Sequence, residues 1–416
     1  MKRAFLWMTG LLLAGCVSYE PSPLDWADAA ETLEAEPATV EMSVSNLLMR
    51  VVAYSPELNA LRLAHATSVA KADAAGYWDD PSLDLDVLRI LREPKHPWTY
   101  GGSVAFTLPV TGIPGLERRA AEAYAAADRW DVVAAEYAAV AESATLARTA
   151  IALQKLTAFL DEDRMRADYR EARQVSARLV EAGEMSRTDY AQQSVAEREL
   201  DQTLFELRQE RLAAETQLRR RAGLSQTCAF VWKEEDVVPE LAIDELTLLD
   251  FVRAPKVRAA CARYAAKEAD LKKEIRRQYP ELSLGPAYTR EDGYDRVGLT
   301  LGLTLPLWNR NRAGIAAADG ARDESAHAAF TAWQDVISEF AEAKQALALV
   351  GDWKVDSARD AAERLYAAGE LTAGEYVACV QQDWTQLVNV LRRRLAAISA
   401  IHKINMIVQS LSEEEE

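Results

Sequence analysis

Four short stretches alternate apolar and polar positions with a period of two. Leu83, Leu85 and Val87 alternate with Ser82, Asp84 and Asp86. Tyr100, Gly102, Val104, Phe106 and Leu108 alternate with Gly101, Ser103, Ala105 and Thr107. Leu282, Leu284 and Tyr288 alternate with Ser283, Gly285, Ala287 and Thr289, and Val297, Leu299, Leu301, Leu303 and Leu305 with Gly298, Thr300, Gly302 and Thr304. This period predicts strands over about 82–90, 99–109, 281–290 and 296–307. Each is roughly 10 residues long, the length a tilted membrane strand needs. A proline and a glycine follow each pair, and then long stretches rich in Ala, Glu, Arg and Leu begin. Residues 116–182 contain neither Gly nor Pro, and as one helix they would run ~100 Å. Residues 315–367 contain no Pro and carry two glycines, Gly320 and Gly351. Gly183 and Gly369 read as helix stops, with Ser186 and Thr372 as the next N-caps. Two helical hairpins follow, 116–222 and 315–410, with tips near 183–187 and 369–373.

The chain is written twice. Pro56 and Pro255 open helical stretches that close at Pro81 and Pro280, and both pairs share one offset. Phe106-Thr107-Leu108-Pro109 matches Leu303-Thr304-Leu305-Pro306, and Arg178 to Glu184 matches Arg364 to Glu370. Landmarks in the same order argue for duplication. Residues 48–222 form repeat 1 and 251–410 repeat 2, each reading helix, strand, strand, helix, helix. Between them lies an irregular equatorial segment, 223–250, and an acidic tail, 411–416, ends the chain. The outbound helical stretch of repeat 1 exceeds that of repeat 2 by about three helical turns, so the helical phase is nearly kept.

The N-terminus changes the picture. Met1-Lys2-Arg3, the apolar run 4–13 and Leu13-Ala14-Gly15-Cys16 read as a lipoprotein signal peptide over 1–15. Cys16 is the expected lipid attachment, and 16–47 is a tether with a short irregular segment. Val17 follows the cysteine rather than Asp, which by resemblance to enterobacterial lipoproteins favours the outer membrane. No stretch after residue 16 is long and apolar enough for a membrane helix, so a membrane crossing requires strands. Four strands leave open edges, which lipid does not tolerate, so such a crossing requires several copies. Trp98, Tyr100, Tyr279, Tyr294 and Trp308 near strand ends suit an interfacial aromatic girdle, and residues 91–97 and 291–295 would be the outer loops.

Composition mostly excludes. The net charge of −17 opposes nucleic-acid binding. Besides Cys16 only Cys228, Cys261 and Cys379 occur, too few and too scattered for a disulfide framework or thiolate metal site. His65, His96, His327 and His402 show no ligand spacing, and neither GxSxG nor GxxxxGK[ST] is present. An enzyme is not expected, nor any cofactor beyond the lipid on Cys16.

Taken together, the duplication, the strand pair before each long helix and the glycine tips resemble the TolC-like outer-membrane factors over nearly all of the mature chain. The stretch Leu303 to Gly314 is similar to the branch that serves heavy-metal pumps. The resemblance implies a mainly α fold with a small β part. Three copies would form a 12-stranded outer-membrane barrel continuing into a long periplasmic α-helical barrel, closed at its tip. It implies a homotrimer, lipid-anchored in the outer membrane, that passively conducts small molecules or metal ions. Its partners would be a periplasmic adaptor and an inner-membrane pump of the RND type. In the family the tip carries a glycine followed six residues later by an acid, here Gly183 with Asp189 and Gly369 with Glu375. The resemblance assigns Val180, Gly183, Asp189, Tyr366, Gly369 and Glu375 to adaptor docking, and Glu375 with Tyr366 to the gate and pore. Ala378 replaces a second acidic position of some members, and Leu371 a basic latch. On the residues alone Glu375 also reads as a helix-start carboxylate. Two alternatives stay open: the outer-membrane component of a protein-secretion system, and a lipid-tethered periplasmic coiled coil without a pore.

Overall fold

The computed structural model describes residues 19–89, 91–92, 98–161, 163–233, 238–242, 246–291, 293–303, 305, 307–351 and 359–412. Cys16 lies outside them. In chain order they form α1 (Trp26–Glu34), β1 (Thr39–Met42), α2 (Val44–Tyr54), α3 (Pro56–Asp73), β2 (Ser82–Arg89), β3 (Trp98–Leu108), α4 (Ile113–Asp161), α5 (Asp163–Glu181), α6 (Arg187–Arg221) and β4 (Ala229–Trp232). A 3₁₀ turn (Asp250–Arg253) leads into α7 (Pro255–Arg276), β5 (Leu282–Glu291), β6 (Tyr294–Leu303), α8 (Arg312–Val350), α9 (Arg359–Ala367) and α10 (Ala373–Ser410). The protein is mainly α with a small β part. No helix among the described residues is long and apolar enough to cross a membrane.

Both repeats start alike. Pro56 and Pro255 each occupy the first turn of their helix, where the missing N–H costs nothing. The long helices then lie side by side. α4 packs on α3 along one flank and on α7 along the other, and α7 packs in turn on α8. Polar links fix the register: Arg62 Nε donates to Glu136 Oε1 at 3.0 Å, Tyr124 to Asp270 at 3.1 Å, and the Arg258 guanidinium sits 4.5 Å from the Trp130 ring centre. The layer order α3–α4–α7–α8 leaves α3 and α8 as its outer members. The return helices close a second side, with α6 on α4 and α10 on both α4 and α8.

The four long strands form one antiparallel sheet in the order β2-β3-β5-β6. Its order follows that of the helices, so β2 and β6 are its open edges. Gly285 sits where a Cβ would collide with the Val104 carbonyl oxygen of the next strand, so this close approach needs glycine. The β5–β6 loop is shorter than expected: Asp292 lies outside the described residues, and Gly293 at φ +80° lets the chain reverse before Tyr294.

The equator is more regular than the sequence suggested. β1 pairs in parallel with β4, in the register Thr39 with Ala229 to Met42 with Trp232. The pair covers Leu47, Val51, Ile151, Leu218 and Phe230 in one apolar cluster. Arg219, almost wholly buried, donates from Nε to the Cys228 carbonyl at 2.5 Å and from Nη2 to Glu215 at 3.0 Å. Its charge is thus paired where burial would otherwise be costly. The matching cluster of repeat 2 joins Phe251, Val257, Val336 and Ile407. A third cluster sits between the hairpins and includes Leu153, Leu160, Leu200, Leu204, Leu207, Val380 and Trp384.

Candidate functional site

Along most of its length the sheet sorts its side chains by face; the exceptions lie near one end, where Arg89, Arg290 and Asp295 fall on the apolar face and Leu88 on the other. Leu83, Leu85 and Val87 pair with Val104, Gly102 and Tyr100, and Phe106 pairs with Leu284. Leu284, Pro286 and Tyr288 pair with Leu301, Leu299 and Val297. All therefore share one face. The opposite face carries Asp84, Asp86, Gly101, Ser103, Thr107, Ser283, Ala287, Thr289, Gly298, Thr300 and Gly302. In the single chain the apolar face is bare: Val297 is 84% exposed and Leu299 77%. Eight of its large side chains (Leu83, Leu85, Val87, Phe106, Tyr288, Val297, Leu299 and Leu301) are exposed. Removing such side chains from water yields ~1.5–3 kcal/mol each, so leaving eight in water forfeits more than ~10 kcal/mol. That rivals the whole net stability of a domain, ~5–15 kcal/mol. The face requires an apolar environment. Trp308 (93% exposed) and Tyr279 lie beyond the strand ends, Trp98 and Tyr294 open β3 and β6, and Tyr100 lies within β3 on the apolar face.

At the far end of the helices the two tips are built alike. Gly183 and Gly369 are in the left-handed region, at φ +77° and +74°. Gly183 N–H donates to Val180 O and Glu184 N–H to Leu179 O, at 3.1 and 2.8 Å. Gly369 N–H donates to Tyr366 O and Glu370 N–H to Leu365 O, at 3.0 and 2.9 Å. Both are Schellman stops. No other atom stands within 4 Å of where a Cβ on either glycine would be, so both tips face open space. Val180 and Tyr366 are half-buried just behind them, and the Tyr366 ring stacks on Tyr376 at 4.6 Å. Burial, and secondarily Glu171, pushes the Tyr366 hydroxyl above its usual pKa.

Glu375 is exposed at the third position of α10 and closes a capping box. The Thr372 N–H and hydroxyl both donate to Glu375 Oε2, at 2.8 and 2.7 Å, and Glu375 N–H donates to Thr372 Oγ1 at 3.3 Å. The Thr372 backbone N–H first, and then its hydroxyl, hold the carboxyl below the usual carboxylate range. Asp189 occupies the same position in α6, three residues after Ser186; its side chain is outside the described residues. Leu371, in the place of the basic latch, packs against the inter-hairpin cluster with Tyr366. The two hairpins touch through α5, α6 and α10, with Gln381 of α10 hydrogen-bonded to Glu199 of α6; within the first hairpin Arg173 of α5 pairs with Glu197 of α6 at 2.9 Å.

No protein-family model matches the sequence, and no curated protein sequence matches it. Solved structures do. The chain has the fold of outer-membrane channels, from the open-edged sheet to the two helical tips. In particular it is similar to the CusC transmembrane channel, with 14% identity and TM-score 0.68 over 88% of this chain and 92% of that one. It is similar to the Campylobacter jejuni CmeC outer-membrane channel, with 13% identity and TM-score 0.68 over 96% and 92%. A membrane protein from Pseudomonas aeruginosa matches with 16% identity and TM-score 0.72 over 95% and 99%.

Proposed function

We propose that three copies of this chain close into an outer-membrane exit duct of a tripartite efflux system. The observation that carries this reading is the shared order of sheet and helices. β2 and β6 are unpaired at the two sides of the sheet, and α3 and α8 are the outer members of the helical layer beneath. Joining β6 of one copy to β2 of the next, with α8 meeting α3, gives a closed sheet of twelve strands on a ring of helices. Closure satisfies every strand edge, as a membrane demands, and turns the bare apolar face to lipid. Asp84 and Asp86 then face a wet lumen. The channel fold shared with CusC and CmeC supports the same reading.

Cys16 carries the lipid that anchors the duct, and the periplasmic helices end in the two glycine tips. These tips (Val180, Gly183 and Asp189 on one, Tyr366, Gly369 and Glu375 on the other) dock a periplasmic adaptor, and an inner-membrane pump of the RND type supplies the energy. The duct is passive and conducts small molecules or metal ions. Glu375 uses one carboxylate oxygen for its own helix cap, which fixes where its charge stands at the tip. Three such carboxylates form an acidic ring beside Tyr366.

Single-channel conductance of the purified, lipidated protein in a planar bilayer tests this, wild type against Glu375→Ala. The expected result is a small cation-selective conductance that loses selectivity in the variant. A conductance that the substitution leaves unchanged removes Glu375 from the gate and keeps the duct. No conductance, together with β2, β3, β5 and β6 left unprotected from aqueous labelling, removes the duct itself.

A further inference from the structure

The apolar face of the sheet has two unlike ends. At the end joined to the helices it carries Leu83, Phe106, Leu284 and Leu301, and none of the paired residues there is charged. At the other end it carries Arg89 and Arg290. This second end is the one away from the helices. There β2 turns back into β3 and β5 into β6, whereas β3 and β6 leave the opposite end for α4 and α8. A shift of one residue would put either arginine on the polar face, where Arg296 and Glu291 already pair at 3.0 Å. The charge on the apolar face is therefore confined to one rim.

Both arginines are exposed and stand beside aromatic rings. Arg89 faces Trp98 across the ladder, with its guanidinium carbon 5.7 Å from the ring centre. No carboxylate among the described residues reaches it. Arg290 stands between Tyr100 on one strand and Asp295 on the other. Asp295 is the one carboxylate on this face among the paired residues, and it is already engaged. The Tyr288 hydroxyl donates to its Oδ1 at 2.6 Å, while Arg290 Nε lies 3.8 Å from the same oxygen, an ion pair too long for a hydrogen bond. The donors of both guanidiniums therefore remain open to a ligand. On a face turned to lipid, such a charge is tolerable only at the border of the hydrocarbon. The planar fork of donors matches phosphate oxygens, and a neighbouring ring can stack against it.

We infer that Arg89 and Arg290, with Trp98 and Tyr100 beside them, hold the phosphate of an anionic lipid headgroup in the outer leaflet. This rests on the closure proposed above, which turns the apolar face to lipid and the hairpin ends outward. The uncharged rim at the helix end offers the inner leaflet no such hold. The barrel thus grips one leaflet by charge and the other by apolar contact alone, which fixes its height and direction in the membrane.

The test uses the full-length lipidated protein in detergent, with phosphatidic acid as the probe and phosphatidylcholine of the same acyl chains as its control. Native mass spectrometry reads the bound lipid and the mass of the assembly together. The unmodified protein is expected to retain phosphatidic acid and to lose phosphatidylcholine. Replacing both arginines (Arg89→Gln with Arg290→Gln) should weaken that retention roughly tenfold or more. Arg296→Gln, on the polar face, should leave it unchanged. All three side chains are exposed, so heat-modified mobility should stay that of the wild type. Equal retention of the two lipids by the unmodified protein, or an equal loss from Arg296→Gln, overturns the headgroup site. Displacement of the lipid by excess inorganic phosphate also overturns it, because the site would then take a free anion. A mass of three chains without selective retention removes the site and leaves the duct standing. A mass of one chain overturns the closure and the site with it.

Discussion

His402 shows how far one residue's environment can be turned into a measurable slope. It lies on α10 with Nδ1 3.0 Å from the Thr145 hydroxyl of α4. Burial first, and then the neighbouring Arg148 charge, lowers its pKa to about 4. A histidine that resists protonation when folded binds fewer protons than in the unfolded chain between pH ~6.5 and ~4, so stability rises with pH across that window. The contribution is fully present above pH ~6.5 and falls away toward pH ~4, by on the order of 2–3 kcal/mol. Thermal unfolding of the wild type should lose that much over the window, and His402→Gln should flatten the slope. An unchanged slope would place the sensitivity elsewhere. Thr372 gives a second reading at this scale. Thr372→Ala removes the cap of α10 and should cost about 1 kcal/mol. It should also raise the Glu375 pKa, because both hydrogen bonds to Oε2 depend on Thr372 holding its place; carboxylate titration by NMR or infrared would show whether it does. The distance from Gly369 to Glu375 was legible in the sequence, and so were its parts, the helix-stop glycine, the Thr372 N-cap and the helix-start carboxylate; the reciprocal hydrogen bonds of the capping box were not. A Schellman glycine, an N-cap three residues on and a capping-box acid three further give that spacing on local grounds. Whether the acid also gates is a question about three copies, which one chain's residues cannot pose.

At the scale of elements, the periodicities gave the long pieces well. Strands alternate only when one face is apolar, and the bare face of β2, β3, β5 and β6 is that alternation made visible. The hairpins were legible because Gly183 and Gly369 have no rival explanation in so helical a stretch. Gly183→Ala and Gly369→Ala should each cost ~1–2 kcal/mol, the price of a left-handed backbone for an L-residue. Gly115, inside α4 with open space where its Cβ would be, should accept Ala with no loss. Differential scanning of the three variants separates them, and equal effects would deny the tips their special geometry. Gly369→Pro should go further, abolishing export in a drug- or metal-tolerance assay while leaving the protein in the membrane. What the sequence hid were β1 and β4. Each is four residues long, neither alternates over enough positions to show a period, and each is stabilised by the other from across the chain. Sequence patterns report local order, and this parallel pair is not local.

The whole molecule makes a sharper demand, because a one-residue step along β6 moves a side chain from the apolar face to the polar one, which in the duct proposed above is a step from lipid to lumen. Leu299→Arg places a charge on the apolar face and should cost ~2–4 kcal/mol of membrane stability. Thr300→Arg, next in sequence but on the opposite face and paired with Gly285, should insert normally and change only conduction. Heat-modified mobility of the extracted protein and single-channel current distinguish these outcomes, and equal damage from both would mean that the sheet does not separate two environments. The overall plan was readable because the chain repeats itself: the same order of landmarks twice, each with a strand pair, fixed which elements would be neighbours. The sequence did not name the cargo. Nothing in the described residues gathers three or more metal-ligating side chains, and the duct proposed above would leave selection to the pump that feeds it.

The parallel pairing of β1 with β4 also imposes a timetable. Thr39 is made early in synthesis, but its partner Ala229 follows only after the entire first hairpin. Until then Leu47, Val51 and Ile151 lack the lid that Phe230 completes, and the first repeat cannot settle on its own. A chain made N-terminus first is therefore kept unfinished through half of its synthesis, which in the lipoprotein proposed above leaves time for its leading end to be processed and anchored. A protein truncated before residue 229 should not fold stably; limited proteolysis should degrade it far faster than the full chain.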